Sequence, residues 1–246
     1  MLASLFFVCL SQVVLSSADL PSPVKPCKND GSLNECVIKQ SQDVIKAVAK
    51  GNPKYGIPSL DPLHIPKIVQ SEGGSKSVSM NLTLENINIY GNAGAEIVKA
   101  EMDSSKKQFK LTVHHPQVKL IADYILEGKF LVVPVNGKGK TTITLDDLTS
   151  VYIYKFKPVQ KKGVDYITSV RPAYLSVVPK KMTFNFENLF NGNKALGEAT
   201  NKMMNENWQE FDRQMSKGIK LALCEVYTDT MDNVLRSTPY SALFLK

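Results

Sequence analysis

The apolar positions near the C-terminus follow the spacing of one long helix. Between Lys194 and Arg236 the chain contains no proline. Apolar residues recur there at intervals of three, four or eight, which places them on one side of a helix: Trp208, Phe211, Met215, Ile219, Ala222, Val226 and Val234. A helix from Asn205 to Arg236 would be about 48 Å long. Further leucines broaden the apolar stripe, and charged residues such as Lys220 and Asp232 occupy the remainder. We therefore expect this helix to be covered over most of its circumference.

The period of the apolar positions is two over most of the stretch between Lys76 and Phe186, which predicts β-strands. The phase of this alternation changes after Leu84, and this predicts a β-bulge near Glu85 and Asn86. Glycine-containing segments at 137–140 and 161–163 are predicted hairpin tips. Separate strands are predicted around residues 78–84, 87–89, 109–113, 118–126, 130–135, 143–145, 151–156, 166–170, 174–178 and 182–186.

A shorter amphipathic helix is predicted near the N-terminus, over Leu33 to Lys50. Ser32 and Glu35 have the spacing of a capping box, and Gly51 ends the helical pattern. The proline-rich segment that follows, 56–66, is too apolar for a mobile linker, so we expect an ordered crossing.

Together these patterns predict an α+β fold in which a highly curved antiparallel sheet wraps a long C-terminal helix, with a short N-terminal helix. One-sided alternation over many strands favours an antiparallel sheet with one apolar face, and the helix is the natural cover for that face. An all-β barrel with a helical appendix is the alternative, but it would leave the helix half exposed. We expect one domain over residues 19–246, enclosing a hydrophobic tunnel.

The N-terminal residues 1–18 carry no charged side chain and are mostly apolar, as in a secretory signal peptide. A retained membrane anchor is the alternative, although the apolar run is short for a bilayer span. Secretion implies an oxidising route, so Cys27 and Cys36 are predicted to form a disulfide. Cys224 then has no partner and is expected to be a buried thiol.

The formal net charge of +7 raises the possibility of an anionic partner. The lysines are scattered among the predicted strands, so nucleic acid is not expected as a partner. A basic protein that binds membrane or microbial lipid surfaces remains the alternative function, without stable membrane insertion. Asn81-Leu82-Thr83 is a glycosylation sequon, usable if Asn81 faces water.

Candidate catalytic groups are few. His114 and His115 are adjacent on a predicted strand, so at most one of them faces inward, and His64 lies in the proline-rich crossing. None has the spacing of a metal ligand or of a nucleophilic triad. We therefore predict no catalysis, no metal and no cofactor, with a hydrolase of ester ligands as a third hypothesis.

Four runs of residues are distinctive as a set and occur in order along the chain. They are Cys27 with Glu35-Cys36-Val37, Gly56-Ile57-Pro58-Ser59-Leu60-Asp61-Pro62-Leu63, Leu189-Phe190-Asn191-Gly192-Asn193-Lys194-Ala195-Leu196-Gly197 and Asn205-Glu206-Asn207-Trp208. These runs resemble the takeout and haemolymph juvenile hormone binding protein family of insects. The resemblance extends over Asp19 to Lys246 and implies a lipid-binding tubular fold with a tunnel for a hydrophobic ligand, secretion, and roles in feeding, circadian output or chemosensation. An unpaired Cys224 resembles the takeout branch of that family.

The expected function is a secreted, monomeric carrier of one small, elongated lipophilic ligand, such as a terpenoid or a fatty acid, in haemolymph or another extracellular fluid. A plain, filled core is the alternative interpretation of the same apolar pattern. Tyr124 and Tyr152 are the candidates to offer a hydroxyl to a polar ligand head. The predicted tunnel wall consists of Val44, Ile45, Val48, Leu111, Val113, Tyr124, Leu126, Leu131, Val133, Tyr152, Phe184, Phe186, Trp208, Phe211, Met215, Ile219 and Val226.

Overall fold

The computed structural model describes residues 25–72, 78–103, 105–131 and 133–245. The predicted signal peptide, residues 1–18, lies outside these ranges. The helices are α1 Leu33–Val48, α2 Lys194–Glu206, α3 Trp208–Met215, α4 Lys217–Ser237 and α5 Tyr240–Leu243. The strands are β1 Cys27–Lys28, β2 Leu63–Glu72, β3 Val78–Tyr90, β4 Glu96–Asp103, β5 Gln108–Phe130, β6 Val133–Lys161, β7 Val164–Phe186 and β8 Phe244–Leu245. Short 3-10 turns occupy Pro53–Tyr55, Asn92–Gly94 and Phe190–Gly192.

The main sheet has the order β2-β3-β5-β6-β7, with β4 paired to β5. All of its pairings are antiparallel, as the one-sided alternation predicts. The sheet curls into a half-barrel around the C-terminal helices, so the predicted fold class is confirmed. The two-stranded pairing of β1 with β8 is separate and parallel, and it joins the two ends of the described chain.

The strands are longer and fewer than the alternation predicts. β6 alone has 29 residues, where the sequence suggests several separate strands. Straight, such a strand would reach about 95 Å, whereas α4 with 21 residues is about 32 Å long. Strands of this length can keep their apolar face on the helix only by bending around it.

Irregularities in the pairing accompany the bend. The register of β3 against β5 shifts between Glu85 and Asn88, and Asn86 has a positive φ of 52°. The predicted bulge is therefore confirmed. Asp147 on β6 also has a positive φ, of 49°, and the register shifts again between Ile153 and Lys155. Each shift increases the local twist and changes which residues face inward.

One predicted hairpin tip is correct and the other is wrong. The turn at 161–163 joins β6 to β7, because Lys161 pairs with Val164. Residues 137–140, however, lie inside β6, and the preceding reversal is at Phe130 and Val133, which pair with each other. Gly137 has a different purpose there, since a Cβ would meet the Tyr124 hydroxyl at 2.7 Å and the Leu189 backbone at 3.0 Å. The glycine permits a close approach of a neighbouring segment to the strand.

The C-terminal helix is interrupted rather than continuous. Asn207 leaves the helical conformation, with φ −118° and ψ 34°, and its side-chain amide donates to the Met203 carbonyl at 2.8 Å. A second junction is at Ser216, whose N–H still donates to the Asp212 carbonyl at 3.1 Å. Asparagine ends α2 because its side chain competes for the backbone carbonyls of its own turn.

Side chains from the helices satisfy backbone groups of the sheet edge at β7. The Asn205 amide accepts from the Phe184 N–H at 2.6 Å and donates to its carbonyl at 2.9 Å. Asn201, one turn earlier, makes the same pair of bonds to Phe186, both at 2.9 Å. An edge strand would otherwise present these groups unpaired.

Asp232 is the strongest polar connection between α4 and the sheet. The sequence pattern assigns it to the polar face of the helix, but only 3% of it is exposed. Its carboxylate accepts from the Tyr154 hydroxyl at 2.6 Å and the Ser169 N–H at 2.7 Å. Burial by itself raises the pKa of this carboxyl, but the bonds from Ser169 and Tyr154 and the charge of Arg236 outweigh it, so the pKa lies below its ordinary value.

The predicted disulfide between Cys27 and Cys36 is present, and it ties the first turn of α1 to β1. Cys224 is a free cysteine and is buried, as expected. It lies in a small cluster with Tyr152, Tyr154 and Phe156. Burial raises the pKa of its thiol, which disfavours the reactive thiolate.

Replacing Asp232 with alanine is predicted to lower the free energy of unfolding by about 3–5 kcal/mol, because the sheet donors lose a buried charged partner. Asp229→Ala is the matched control: it removes an exposed carboxylate from the same helix, one that pairs with Arg171, and should cost less than about 1 kcal/mol. Urea unfolding at neutral pH measures both. Because the native pKa of Asp232 is lowered, its contribution is present above the unfolded pKa and disappears as the pH falls through the native one. Equal losses for the two variants would contradict this role.

Gly137→Ala is predicted to destabilise the protein by about 1–3 kcal/mol, because the added methyl group overpacks the contact with Tyr124 and Leu189. Gly94→Ala serves as the control, since a Cβ at that position meets nothing within 4 Å. Thermal unfolding of both variants is the measurement. A neutral Gly137→Ala would show that the close approach does not constrain the strand.

Candidate functional site

A cavity of about 370 Å³ lies between the concave face of the sheet, helix α1 and the C-terminal helices. This volume is within the range of small-molecule sites, about 300–1,000 Å³. Its wall is mostly apolar. Residues lining it include Val37, Val44, Ile45 and Val48 from α1, Ile57, Leu60 and Ala95 from the connecting segments, Ile89, Ile97, Phe109, Leu111, Val113, Val118, Leu120, Ile143, Leu145, Leu148, Tyr152, Leu175, Val177, Met182 and Phe184 from the sheet, and Phe211, Met215, Ile219, Leu223, Tyr227, Met231 and Val234 from α3 and α4.

The structure brings many of the predicted wall residues together around this cavity. Those that line it are Val44, Ile45, Val48, Leu111, Val113, Tyr152, Phe184, Phe211, Met215 and Ile219. They come from α1, three strands and two helices, so only the folded chain assembles them. Their contact with a ligand stays a prediction.

The other predicted wall residues lie outside the lining of the cavity: Tyr124, Leu126, Leu131, Val133, Phe186, Trp208 and Val226. At the end of the sheet near α2, aromatic rings fill the interior, with Tyr124 at 4.9 Å from Phe186 and Phe184 at 4.4 Å from Phe211 between ring centroids. Leu126 is fully buried in the same core, which Leu131, Trp208 and Val226 flank. Val133 lies at the hairpin end of β6. Apart from Val133, these residues belong to the core or pack against it, but they lie where the core is solid.

The sequence interpretation missed much of the sheet side of the wall. On β6, the lining passes from Ile143 and Leu145 to Leu148 and Tyr152, so the inward phase changes between 145 and 148. Asp147, with its positive φ, is the residue that changes it. The Asp146-Asp147 pair, placed between two apolar alternations of different phase, is the sequence feature that marks this irregularity. The register of β6 with β5 and β7 is the same on both sides of it, so it is not a bulge.

Both tyrosines proposed for a polar ligand head already have partners in the protein. The Tyr124 hydroxyl donates to the Glu187 carbonyl at 2.6 Å, and the Tyr152 hydroxyl is 2.8 Å from the Thr228 hydroxyl. Burial raises the pKa of Tyr124 to about 12 and raises that of Tyr152 further. Tyr152 remains on the wall as a ring with a satisfied hydroxyl.

A loop with the 3-10 turn Asn92–Gly94 forms one polar part of the wall. The Asp61 carboxylate accepts from the Gly91 and Ala93 N–H groups at 3.1 and 2.8 Å. Asn92 accepts from the Tyr227 hydroxyl at 3.0 Å and donates to the Leu60 carbonyl at 2.7 Å. The proline-rich crossing, the loop and α4 are thus held together, which confirms that the crossing is ordered.

Gly91 allows this loop to lie directly against β5. Its φ is 101°, and a Cβ there would meet the Gln117 carbonyl oxygen at 2.2 Å. A side chain is therefore incompatible with the observed approach. The contact places the loop beside His115.

The two adjacent histidines face opposite sides of β5, as strand geometry requires. His114 is half-buried on the outer side and lies 2.9 Å from the Asp147 carboxylate. His115 is 9% exposed and forms part of the cavity wall. Burial lowers the pKa of His115, a hydrogen bond with the Gly91 backbone partly offsets this, and the charge of His114 lowers it slightly more. Its ring is therefore neutral near neutral pH.

One ion pair, Asp212 with Lys220, also reaches the wall, with nitrogen and oxygen 3.2 Å apart. Within the described ranges, no group of three or more His, Cys, Asp or Glu side chains is arranged to hold a metal ion. The helices of the described part of the chain include none that is long and apolar enough to cross a membrane. Asn81 is exposed on β3, so its sequon is accessible, and glycosylation there stays a prediction.

Comparisons with known proteins agree with this architecture. The family model described as haemolymph juvenile hormone binding protein matches residues 4–245. The circadian clock-controlled protein daywake of Drosophila melanogaster is 28% identical over 237 residues, which cover 94% of this chain and 90% of that protein. Daywake of Drosophila yakuba is 26% identical over 242 residues, covering 96% and 92% of the two chains.

Among solved structures, the crystal structure of Epiphyas postvittana Takeout 1 has a TM-score of 0.83 with 21% sequence identity, covering 91% of this chain and 100% of that one. At this identity the likeness shows a shared fold, while the family match extends over nearly the whole sequence. The chain therefore belongs to the haemolymph juvenile hormone binding protein family.

Proposed function

We propose that this protein is a secreted carrier that encloses one small, elongated hydrophobic ligand between its sheet and its C-terminal helices. The observation that carries the proposal is the apolar cavity in the concave side of the sheet. A filled core would be more stable, because each void forfeits packing contacts. An apolar space kept open between the helices and the sheet is therefore best explained by a molecule that occupies it.

The size of the cavity fits a single chain-like molecule. Its volume of about 370 Å³ lies near the lower end of the range of small-molecule sites, about 300–1,000 Å³, which suits one small molecule. Affinity would come from burying apolar surface at about 25 cal/mol per Å², less the cost of ordering the ligand. No bond to the ligand needs to form or break for this function.

The distribution of charge favours the carrier over a protein that binds anionic surfaces. Several lysines on the outer face of the sheet pair with acidic residues across strands, as Lys67 does with Glu85 at 2.8 Å and Lys140 with Asp123 at 2.5 Å. Lys180 pairs with Asp147 in the same way. Such pairs break the positive field into small areas rather than one basic patch.

The remaining parts of the proposal concern the chain as a whole. We propose that residues 1–18 direct secretion, that 19–246 act as one domain, and that the carrier is a monomer. The Cys27–Cys36 disulfide supports an oxidising compartment. Haemolymph or another extracellular fluid is the proposed location.

The purified mature protein is expected to bind or retain an apolar ligand in native mass spectrometry, with one ligand for each chain. Val177→Trp is predicted to reduce this uptake at least tenfold, because Val177 lines the cavity and a bulky ring would occupy its space. Displacement of a fluorescent apolar reporter by dodecane measures the loss.

Val178→Trp is the matched control, since the neighbouring Val178 is 61% exposed and faces away from the interior. It should bind dodecane as the unmodified protein does. The carrier proposal fails if the unmodified protein never takes up an apolar molecule, or if the two tryptophan variants bind equally well.

A further inference from the structure

His115 is a buried polar group in the wall of the cavity. Val113 and Val118 line the cavity on the same strand, and Leu148 is its direct partner on β6. The ring is more than nine-tenths buried. Its Nδ1 is shielded from solvent and has no hydrogen-bond partner among the described residues.

An unpaired nitrogen at such a position is costly. A buried polar atom without a partner has lost its hydrogen bonds to water and gained none in the protein. A phenylalanine or leucine would fill the same space without this cost. The bond with the Gly91 backbone leaves Nδ1 of the ring unpaired. The other polar groups of this region, on Asn92 and Tyr227, bond to each other and to the backbone, so they are not partners of this nitrogen either.

A second polar side chain lies beside His115 on the neighbouring strand. Ser150 is paired with Val113, two residues from His115, and it is both buried and part of the cavity wall. Residues at this diagonal across antiparallel strands have Cβ atoms about 7 Å apart. A group that is small enough to lie between them can therefore reach both side chains.

We propose that the ligand is an apolar chain that carries a hydroxyl group, and that His115, with Ser150 beside it, recognises this hydroxyl. The proposal rests on the carrier function proposed above. A hydroxyl group both donates and accepts, so it satisfies an imidazole nitrogen in either tautomer. A hydroxyl group is also uncharged, so placing it against this apolar wall avoids the cost of burying a charge.

A carboxylate head is a poorer fit at this position. Burial lowers the pKa of His115, so the ring supplies no positive charge to a carboxylate near neutral pH. Two lysines line the cavity. Lys220 is already paired with Asp212, and Lys25 is an exposed residue that precedes β1. The neutral ring of His115 therefore offers no counter-charge to an anionic head at this part of the wall.

The test compares dodecanol and dodecane, which differ by a single hydroxyl group, in displacing a fluorescent apolar reporter from the full mature protein. The ratio of their two dissociation constants is the readout, because it cancels changes that affect both ligands alike. In His115→Phe this ratio is expected to shift by about tenfold against dodecanol. Binding of dodecane should change little.

His114→Phe is the matched control, because the adjacent ring faces the outer side of the sheet and pairs with Asp147. It should leave the ratio unchanged. An unchanged ratio in His115→Phe, with both ligands still bound, overturns the hydroxyl proposal and leaves the carrier function intact. If neither ligand displaces the reporter from the unmodified protein, the carrier function itself is wrong.

A measurement on the unmodified protein decides the question if His115→Phe does not fold. In protein with ¹⁵N-labelled histidine, dodecanol should shift the ring nitrogen resonances of His115, while those of His114 and His64 stay in place. Dodecane cannot form a hydrogen bond, so it should not produce the shift that dodecanol produces at His115. Resonances of His115 that respond identically to the two ligands overturn the proposal.

Discussion

The three longest strands of the main sheet, β5, β6 and β7, have 23, 29 and 23 residues. The apolar face that they form must be kept from water. These strands are far longer than any helix in the described part of the chain, so a flat sheet would leave much of that face exposed. Curling around α3 and α4 is the arrangement that covers it. The C-terminal helices also bond to the edge strand β7: Asn201 and Asn205 of α2 pair with its backbone, and Asp232 of α4 accepts from Ser169.

The same curvature explains why the interior is solid at one end and hollow at the other. Near α2, large rings from two strands and a helix meet and fill the space, with Phe130 and Phe184 both against Phe211. Toward α1, the lining residues are mainly Val, Ile and Leu, which are too short to meet across the bend. A cavity remains there because sheet and helix are held apart by their own contacts on either side.

Much of the fold could be read from local pattern. The period of the apolar residues identifies the helices and the strands, and the phase change after Leu84 locates a real bulge. Glycine was a poorer guide, because Gly137 accommodates a close approach inside a strand and does not form a turn. The assignment of Asp232 to the polar face of the helix was wrong for a related reason. Helical spacing shows in which direction a side chain points, but not whether a buried hydrogen-bond partner from another element lies there.

The sequence by itself determined which regions of the chain are helical and which are β-strand, the antiparallel sheet, the disulfide and the resemblance to a family of ligand carriers, because these depend on spacing along the chain. Only the tertiary structure decided which inward residues line a space and which are packed solid. Tyr124 and Val113 are both inward on β5, yet one lies in an aromatic core and the other on the cavity wall. The difference depends on the size of the side chains that approach from distant strands and helices. Periodicity within one strand carries no information about those partners.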